Sequence, residues 1–265
     1  MTVGRGALII ATAGALSLLA RSLVRGPPSL GVALGALGGY LGLVVLGVVF
    51  ARFGMFAEVL SRGPRTARGV ALTFDDGPDP ASTPQVLAQL AKARAKAAFF
   101  VVGHKAEAHP ELVSAIVAAG HALGVHGYQH DRLCALRSAR TVRADLQRAI
   151  AVIETITGRR PRLYRAPVGH VSPPMASVVR ELGLDIIGWS VKSLDGWPGA
   201  KPSWVLARVI PRLDDRTIVL LHDASERGDF VPASLQALPE ILAVAAQRRL
   251  ELVRVDDWLG HEPRA

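Results

Sequence analysis

Ala71-Leu72-Thr73-Phe74-Asp75-Asp76-Gly77-Pro78 runs a short apolar stretch into two adjacent carboxylates and a Gly-Pro turn. The stretch reads as a buried β-strand whose C-terminal end carries the acids. Unpaired carboxylates at such a place are costly to desolvate unless another charge compensates them. Farther along, His126 and His130 form a His-x-x-x-His pair, a spacing that on a helical turn would place both imidazoles on one face. A divalent metal held by one carboxylate and two imidazoles would compensate the acids and leave the second carboxylate free to work on the metal's water. A metal-dependent hydrolase is the leading reading.

Outward from this strand, β-rich runs alternate with helix-period stretches from about Gly69 onward. The strand candidates are 70–74, 97–102, 122–126, 163–165, 185–190, 217–222 and 251–255. The helix candidates are 84–92, 106–119, 139–157, 173–182, 204–213 and 234–248. Ser82 or Thr83 before Pro84 supplies an N-cap and a first-turn proline, and Gly120 and Gly183 stand where helix C-caps belong. Alternation of this kind implies an α/β fold with a mostly parallel sheet, and seven strands suit a barrel better than an open sheet. Asp75, Asp76, His126, Arg165, Trp189 and His222 all fall at the C-terminal ends of strand candidates, the face on which barrel active sites assemble.

Upstream the chain changes character. Between Met1 and Met55 the charged side chains are Arg5, Arg21, Arg25 and Arg52, and the first acid is Glu58. These arginines contribute four units of the formal net charge of +9, so the basic balance is weak evidence for nucleic acid, and no basic helix with interleaved aromatics is present. The uncharged run from Gly26 to Ala51 predicts a membrane-spanning helix at roughly 29–51. Gly6 to Ala20 is a shorter apolar run, either a first span or the apolar part of a signal sequence, and Pro27-Pro28 between the two favours a helical hairpin. The expected organisation is a membrane anchor over 1–55, a basic linker over 56–68 and a catalytic domain over 69–260. Arg52, Arg62, Arg65 and Arg68 after the second run lean toward a cytoplasmic catalytic domain, against Arg21 and Arg25 before it. The single cysteine, Cys134, excludes an internal disulfide and has no activating pattern around it.

Five motifs then occur in a telling order: Thr73-Phe-Asp-Asp-Gly-Pro78, His126-Gly-Tyr-Gln-His130, Arg165-Ala-Pro-Val-Gly169, Trp189 with the segment after it, and Leu220-Leu-His222. Together they resemble the polysaccharide deacetylases of the NodB-like group, carbohydrate esterase family four, over about residues 65–260. The resemblance implies a distorted (β/α)7 barrel, here preceded by an N-terminal transmembrane helical hairpin. It implies removal of acyl groups, chiefly N-acetyl, from a carbohydrate with a bound divalent metal, zinc foremost and cobalt, nickel or manganese as alternatives. It assigns Asp76, His126 and His130 as metal ligands, Asp75 as general base, Arg165 as the residue orienting that base, and His222 as the acid that protonates the leaving amine. The backbone N–H of Val168, fixed by Pro167, would hold the oxyanion, and Trp189 and Leu220 would wall the acyl-methyl pocket. It also leans toward an extracytoplasmic catalytic domain in an integral protein of the cytoplasmic (inner) membrane.

Two positions depart from the family pattern. Gly127 stands where Ser or Thr usually follows the first histidine, removing a hydroxyl near the metal. Lys192 stands where Trp-Ser-Val is usually followed by an aspartate that pairs with the last histidine. A lysine there is expected to depress the pKa of His222 by like-charge repulsion, with Asp195 or Asp223 as a replacement partner. Alternatively Lys192 binds substrate, and a basic residue near a membrane anchor suits a phosphate-bearing, lipid-linked sugar. The principal expectation is a membrane-anchored deacetylase of an envelope glycan. The alternatives are a deformylase or deacetylase of a lipid-linked sugar at the bilayer surface, and a catalytically impaired glycan-binding scaffold. His104, His109, His121 and His170 are read as structural.

Overall fold

The strand that opened the sequence reading, β2 (Ala71–Asp75), lies near the middle of a parallel sheet in a computed structural model that describes residues 1–228 and 230–260. Strand β1 is Val59–Leu60; β3 to β6 are Ala98–Val101, Ala122–Val125, Leu163–Tyr164 and Asp185–Ile187; β7 is Val191–Lys192 and β8 Ile218–His222. Their order is β1-β6-β5-β4-β3-β2-β8-β7, parallel throughout. Because β6 pairs with β5 while β7, four residues on, pairs with β8, the segment 185–192 joins the two ends of the sheet. The Ser190 N–H donates to Ile218 O at 3.0 Å along that join. The result is the expected α/β distorted barrel, with β1 added beside β6.

Helices cover the outside: α3 (Thr83–Lys92), α4 (Gly103–Ala108), α5 (Pro110–Ala118), α6 (Ala139–Thr157), α7 (Pro173–Glu181), α8 (Pro202–Val209) and α9 (Ser234–Gln247), numbered after two N-terminal helices described below. Strand periodicity sorts the side chains. Leu72 and Phe74 pack outward under α3 with Val86 and Leu90, each such burial stabilising by about 1.5–3 kcal/mol. Ala71 belongs to a separate interior cluster with Ala98, Phe100, Ala122, Leu163, Ile187 and Ile218. Small side chains at 71, 98 and 122 leave interior room, and the Arg165 guanidinium fills part of it, 4.2 Å from the Phe100 ring centroid.

Several elements differ from the sequence expectation. The helix read over 106–119 is two, because Pro110 has no N–H to continue α4 and His109 leaves helical geometry (φ −134°). The strand read over 251–255 is a single bridge, Leu252 to Val70, followed by a 3-10 turn at Val255–Trp258. Strands β1 and β7 were not foreseen: two residues are too few to show a period. The stretch 185–190 ends as a strand at Ile187, and the helix read over 204–213 tightens into a 3-10 turn after Val209.

The N-terminal helices are α1 (Val3–Arg25) and α2 (Leu30–Val49), both long and apolar enough to cross a membrane. They fold back on each other across Pro27-Pro28, with Thr12 Oγ1 and Tyr40 OH 3.2 Å apart. The end of α2 is fastened to the barrel: the Val171 N–H donates to Val48 O at 3.1 Å, and Gly47 lies against Met55. A Cβ at Gly4 would stand 2.7 Å from Phe53 O, so α1 begins hard against the same junction.

Candidate active site

Asp75 is the last residue of β2, and its parity turns the side chain into the barrel interior with Thr73. The buried Arg165, just past β5, donates from Nη1 to Asp75 Oδ1 at 2.7 Å and to Thr73 Oγ1 at 2.8 Å. Its other nitrogens donate to the backbone, Nε to Ile187 O at 3.1 Å and Nη2 to Gly188 O at 2.8 Å. The guanidinium is thus tied to β2 and to the end of β6, and it leaves Asp75 Oδ2 facing His126 Nε2, 3.7 Å away.

Asp76 leaves the strand in a left-handed conformation (φ 73°), which turns its carboxylate across the mouth rather than outward. Its Oδ1 lies 3.1 Å from His130 Nε2 and 3.5 Å from His126 Nε2, and those two nitrogens are 3.2 Å apart. His126 Nδ1–H donates to Arg165 O at 2.8 Å, so the tautomer that satisfies it presents a bare lone pair at Nε2. Asp76 Oδ1 is buried without a hydrogen-bond partner. Burial alone would raise its pKa, but the imidazoles of His126 and His130 bring it well below the usual carboxylate range. Three potential ligand atoms within 4.8 Å of one another, a carboxylate oxygen and two imidazole nitrogens, fit a divalent cation.

The two histidines do not sit on a helical turn. Residues 126–130 form a tight loop with Gly127 (φ 81°) and His130 (φ 52°) both left-handed, and that bend, not helical spacing, brings the imidazoles together. Asp145 on α6 holds the loop by accepting from Tyr128 N–H at 2.8 Å and Gln129 N–H at 3.1 Å. Lys105 braces Asp76, donating from Nζ to Asp76 O at 2.7 Å and Ser225 O at 2.8 Å. Neither Asp145 nor Lys105 carried a sequence signal, because each acts on backbone atoms.

Opposite Asp75 stands His222, the last residue of β8. Its Nδ1–H donates to Asp195 Oδ1 at 2.8 Å, and its backbone N–H donates to Asp195 Oδ2 at 2.7 Å. Burial works to lower the His222 pKa, but the Asp195 carboxylate overrides it and lifts the value to about 9. The depressed acid expected from Lys192 is therefore corrected: Lys192 lies with Nζ 5.6 Å from the Trp189 ring centroid, and Asp195 takes the partner's place. Asp223, the other replacement weighed, faces α3: it accepts from Thr83 Oγ1 at 2.6 Å, and burial pushes its carboxyl up to about 7.

A cleft of about 340 Å³ gathers Asp75, Asp76, His126, His130 and His222 with Val168, Trp189, Lys192 and Leu220. Pro167 is buried beneath Val168, whose backbone is left-handed (φ 52°). Leu194, Trp197, Trp204 and Glu226 also line the cleft, and sequence reasoning passed over them. His104 donates to Tyr128 O at 2.8 Å, and buried His121 is pulled to about 4 by burial and then by Lys96. Burial pushes the Cys134 thiol up to about 12, leaving it inert.

Comparison with known proteins agrees with this geometry. A sequence model described as "Polysaccharide deacetylase" matches residues 62–187. A chitooligosaccharide deacetylase of Sinorhizobium fredii is 35% identical over 73% of this chain and 90% of its own length. The crystal structure of the Bc1960 peptidoglycan N-acetylglucosamine deacetylase superposes with a TM-score of 0.72 at 28% identity, over 77% of this chain and 94% of that one. A family 4 acetyl xylan esterase from Clostridium thermocellum, solved with a cobalt ion, gives 0.65 at 31% identity over 72% and 89% of the two chains. The chain spans only 64%, 38% and 40% of three longer peptidoglycan deacetylases that it also matches, from Bacillus cereus, Bacillus subtilis and Listeria monocytogenes. A relative 35% identical and matched over 90% of its own length, together with the family model, means that the chain belongs to the polysaccharide deacetylase family.

Proposed function

We propose that the protein is a membrane-anchored, metal-dependent deacetylase that hydrolyses the N-acetyl groups of a glycan of the peptidoglycan or chitooligosaccharide type. The observation that carries this reading is the convergence of Asp76 Oδ1 with His126 Nε2 and His130 Nε2 beside a second, Arg165-held carboxylate. Asp76, His126 and His130 would hold the ion. Bound there, a divalent ion such as zinc or cobalt supplies Lewis acidity, polarising the acyl carbonyl and making water a stronger acid.

The chain's own groups account for the proton movements. Asp75 Oδ2 is free to take a proton from the attacking water, since Oδ1 is occupied by Arg165. His222, protonated below about pH 9, presents Nε2 to the cleft and delivers its proton to the departing nitrogen. Water adds to the acyl carbon, the C–N bond breaks, and a free amine and acetate result. The Val168 N–H, set by Pro167, would donate to the oxyanion, a contribution of about 10²–10³ in rate for such a donor. Trp189 and Leu220 would enclose the acyl methyl, with Leu194, Trp197 and Trp204 giving sugar rings an apolar face.

Acetate release from chitotetraose, read together with metal content, tests the assignment. Asp75→Asn should keep the metal and lose at least about a hundredfold in kcat, whereas His126→Ala should lose the metal itself. A fully active Asp75→Asn protein would sink the reading.

The same proposal divides the chain into an anchor over 1–55, a linker over 56–68 and the deacetylase domain over 69–260. The domain is assigned to the extracytoplasmic face of the inner membrane, where envelope glycan lies. A C-terminal alkaline phosphatase fusion should then be active, and activity of a cytoplasmic reporter instead would reverse the orientation.

A further inference from the structure

A second cavity of about 460 Å³ opens beside the catalytic cleft and shares Ala166, Val168, Gly169, Trp189 and Lys192 with it. One wall is the end of α2 and the turn after it, Val49 to Arg52. Arg52, Lys192, Arg208 and Arg212 line the cavity, and its lining contains no Asp or Glu. Among the described residues none of these four cations pairs with a carboxylate. Arg208 donates to Lys192 O at 3.0 Å, Arg212 donates to Arg208 O at 3.0 Å, and Arg52 lies over the Phe53 ring. Other arginines of the barrel do pair with carboxylates, among them Arg68 with Asp215, Arg137 with Asp131 and Arg143 with Glu181. His170, also in the lining, is held below its ordinary value by burial and then by the Lys192 charge. Like charges gathered around one hollow repel each other until an anion enters.

We propose that this cavity binds the phosphate of a lipid-linked amino sugar whose acylamino group lies in the catalytic cleft, a substrate class that rests on the deacetylase reading above. Arginine forks match phosphate oxygens in geometry as well as charge. A 2-acylamino sugar phosphorylated at its anomeric carbon carries the two groups on adjacent ring atoms. One sugar seated against the shared wall of Val168 and Trp189 therefore reaches both sites. From the phosphate, a lipid chain would continue past Val49 and Phe50 along the apolar face of α2. The reaction leaves the phosphate untouched: water's oxygen joins the acyl carbon, the C–N bond breaks, and the nitrogen leaves as the amine.

The test compares three substrates on the full-length, metal-loaded protein in nanodiscs: farnesyl diphospho-N-acetylglucosamine, N-acetylglucosamine 1-phosphate and neutral chitotetraose. The farnesyl compound should exceed chitotetraose by about tenfold or more in kcat/KM. The Arg208→Gln/Arg212→Gln protein should lose about tenfold in that ratio, mainly through KM, and Arg208→Lys/Arg212→Lys should retain most of it. Arg52→Gln, at the opposite wall, should move the ratio in the same direction. Should soluble N-acetylglucosamine 1-phosphate match the farnesyl compound, the anion site stands and its lipid source is overturned. If chitotetraose is consumed as well as either phosphorylated sugar, and the double variant leaves the ratio alone, this inference fails while the deacetylase reading survives. Acetate from none of the three, with metal bound, brings down both.

Discussion

Asp195→Asn keeps nearly the shape of the side chain but removes the charge that holds a proton on His222, and it sets an amide NH2 against the His222 backbone N–H. His222 is useful as an acid only while protonated, which in the native protein extends to about pH 9. Without the carboxylate, burial is left to pull the imidazole down, so the alkaline limb of the kcat/KM profile should move to lower pH. At pH 8 the loss should be roughly tenfold or more, and an unmoved limb would remove His222 from the acid's role. This partner was half legible in the sequence. Lys192 occupied the usual place and two aspartates downstream were equally eligible. What decides between them is Leu194, whose left-handed backbone (φ 62°) turns the chain so that Asp195 passes beneath His222. Conformation at one residue of that kind leaves no mark in composition or period.

Among elements, the loop at 126–130 brings its two imidazoles together by a geometry that the spacing did not suggest. Spacing of four suggested a helical turn, yet a left-handed glycine and a left-handed histidine make the bend. The same bend explains why Gly127 replaces a hydroxyl residue without loss of the site: a Cβ there would lie 3.1 Å from Asp145 Oδ2, the atom that holds Tyr128 N–H. Gly127→Ala should therefore destabilise the protein by about 1 kcal/mol through its positive φ alone. It should also loosen the His130 arm, so metal titration would show weaker affinity; unchanged affinity and stability together would contradict this account. The strands with five residues and clear parity, β2 and β8, announced themselves in the sequence. Strands of two residues, β1 and β7, could not, since their place depends on the neighbour they pair with rather than on any pattern of their own.

For the whole molecule, alternating strands and helices were enough to specify a mostly parallel α/β sheet, and the acids and histidines at strand ends were enough to mark the face that carries the candidate site. Closure was not legible, because it depends on 185–192 leaving one neighbour for another at Gly188 and Trp189. The three proposed ligands, Asp76, His126 and His130, also join the end of β2 to the loop after β4, so a bound ion should act as a structural clamp as well as a chemical one. Free metal at a thousandfold above its Kd would stabilise by about 4 kcal/mol, and chelation should lower the melting temperature by roughly 8–16 °C for a domain of this size. A melting curve indifferent to chelator would mean that the three side chains do not share an ion.

The bond from Val171 N–H to Val48 O spans from the apolar hairpin to the loop that carries Val168. Were the hairpin to lie in a bilayer, the catalytic mouth would be less like a bucket on a rope than a gantry of fixed height. Held there, it would meet first whatever acylated sugar lies at the level of the headgroups. A flexible spacer inserted after Phe50 would cut that gantry loose, trading a choice made by altitude for one made by diffusion.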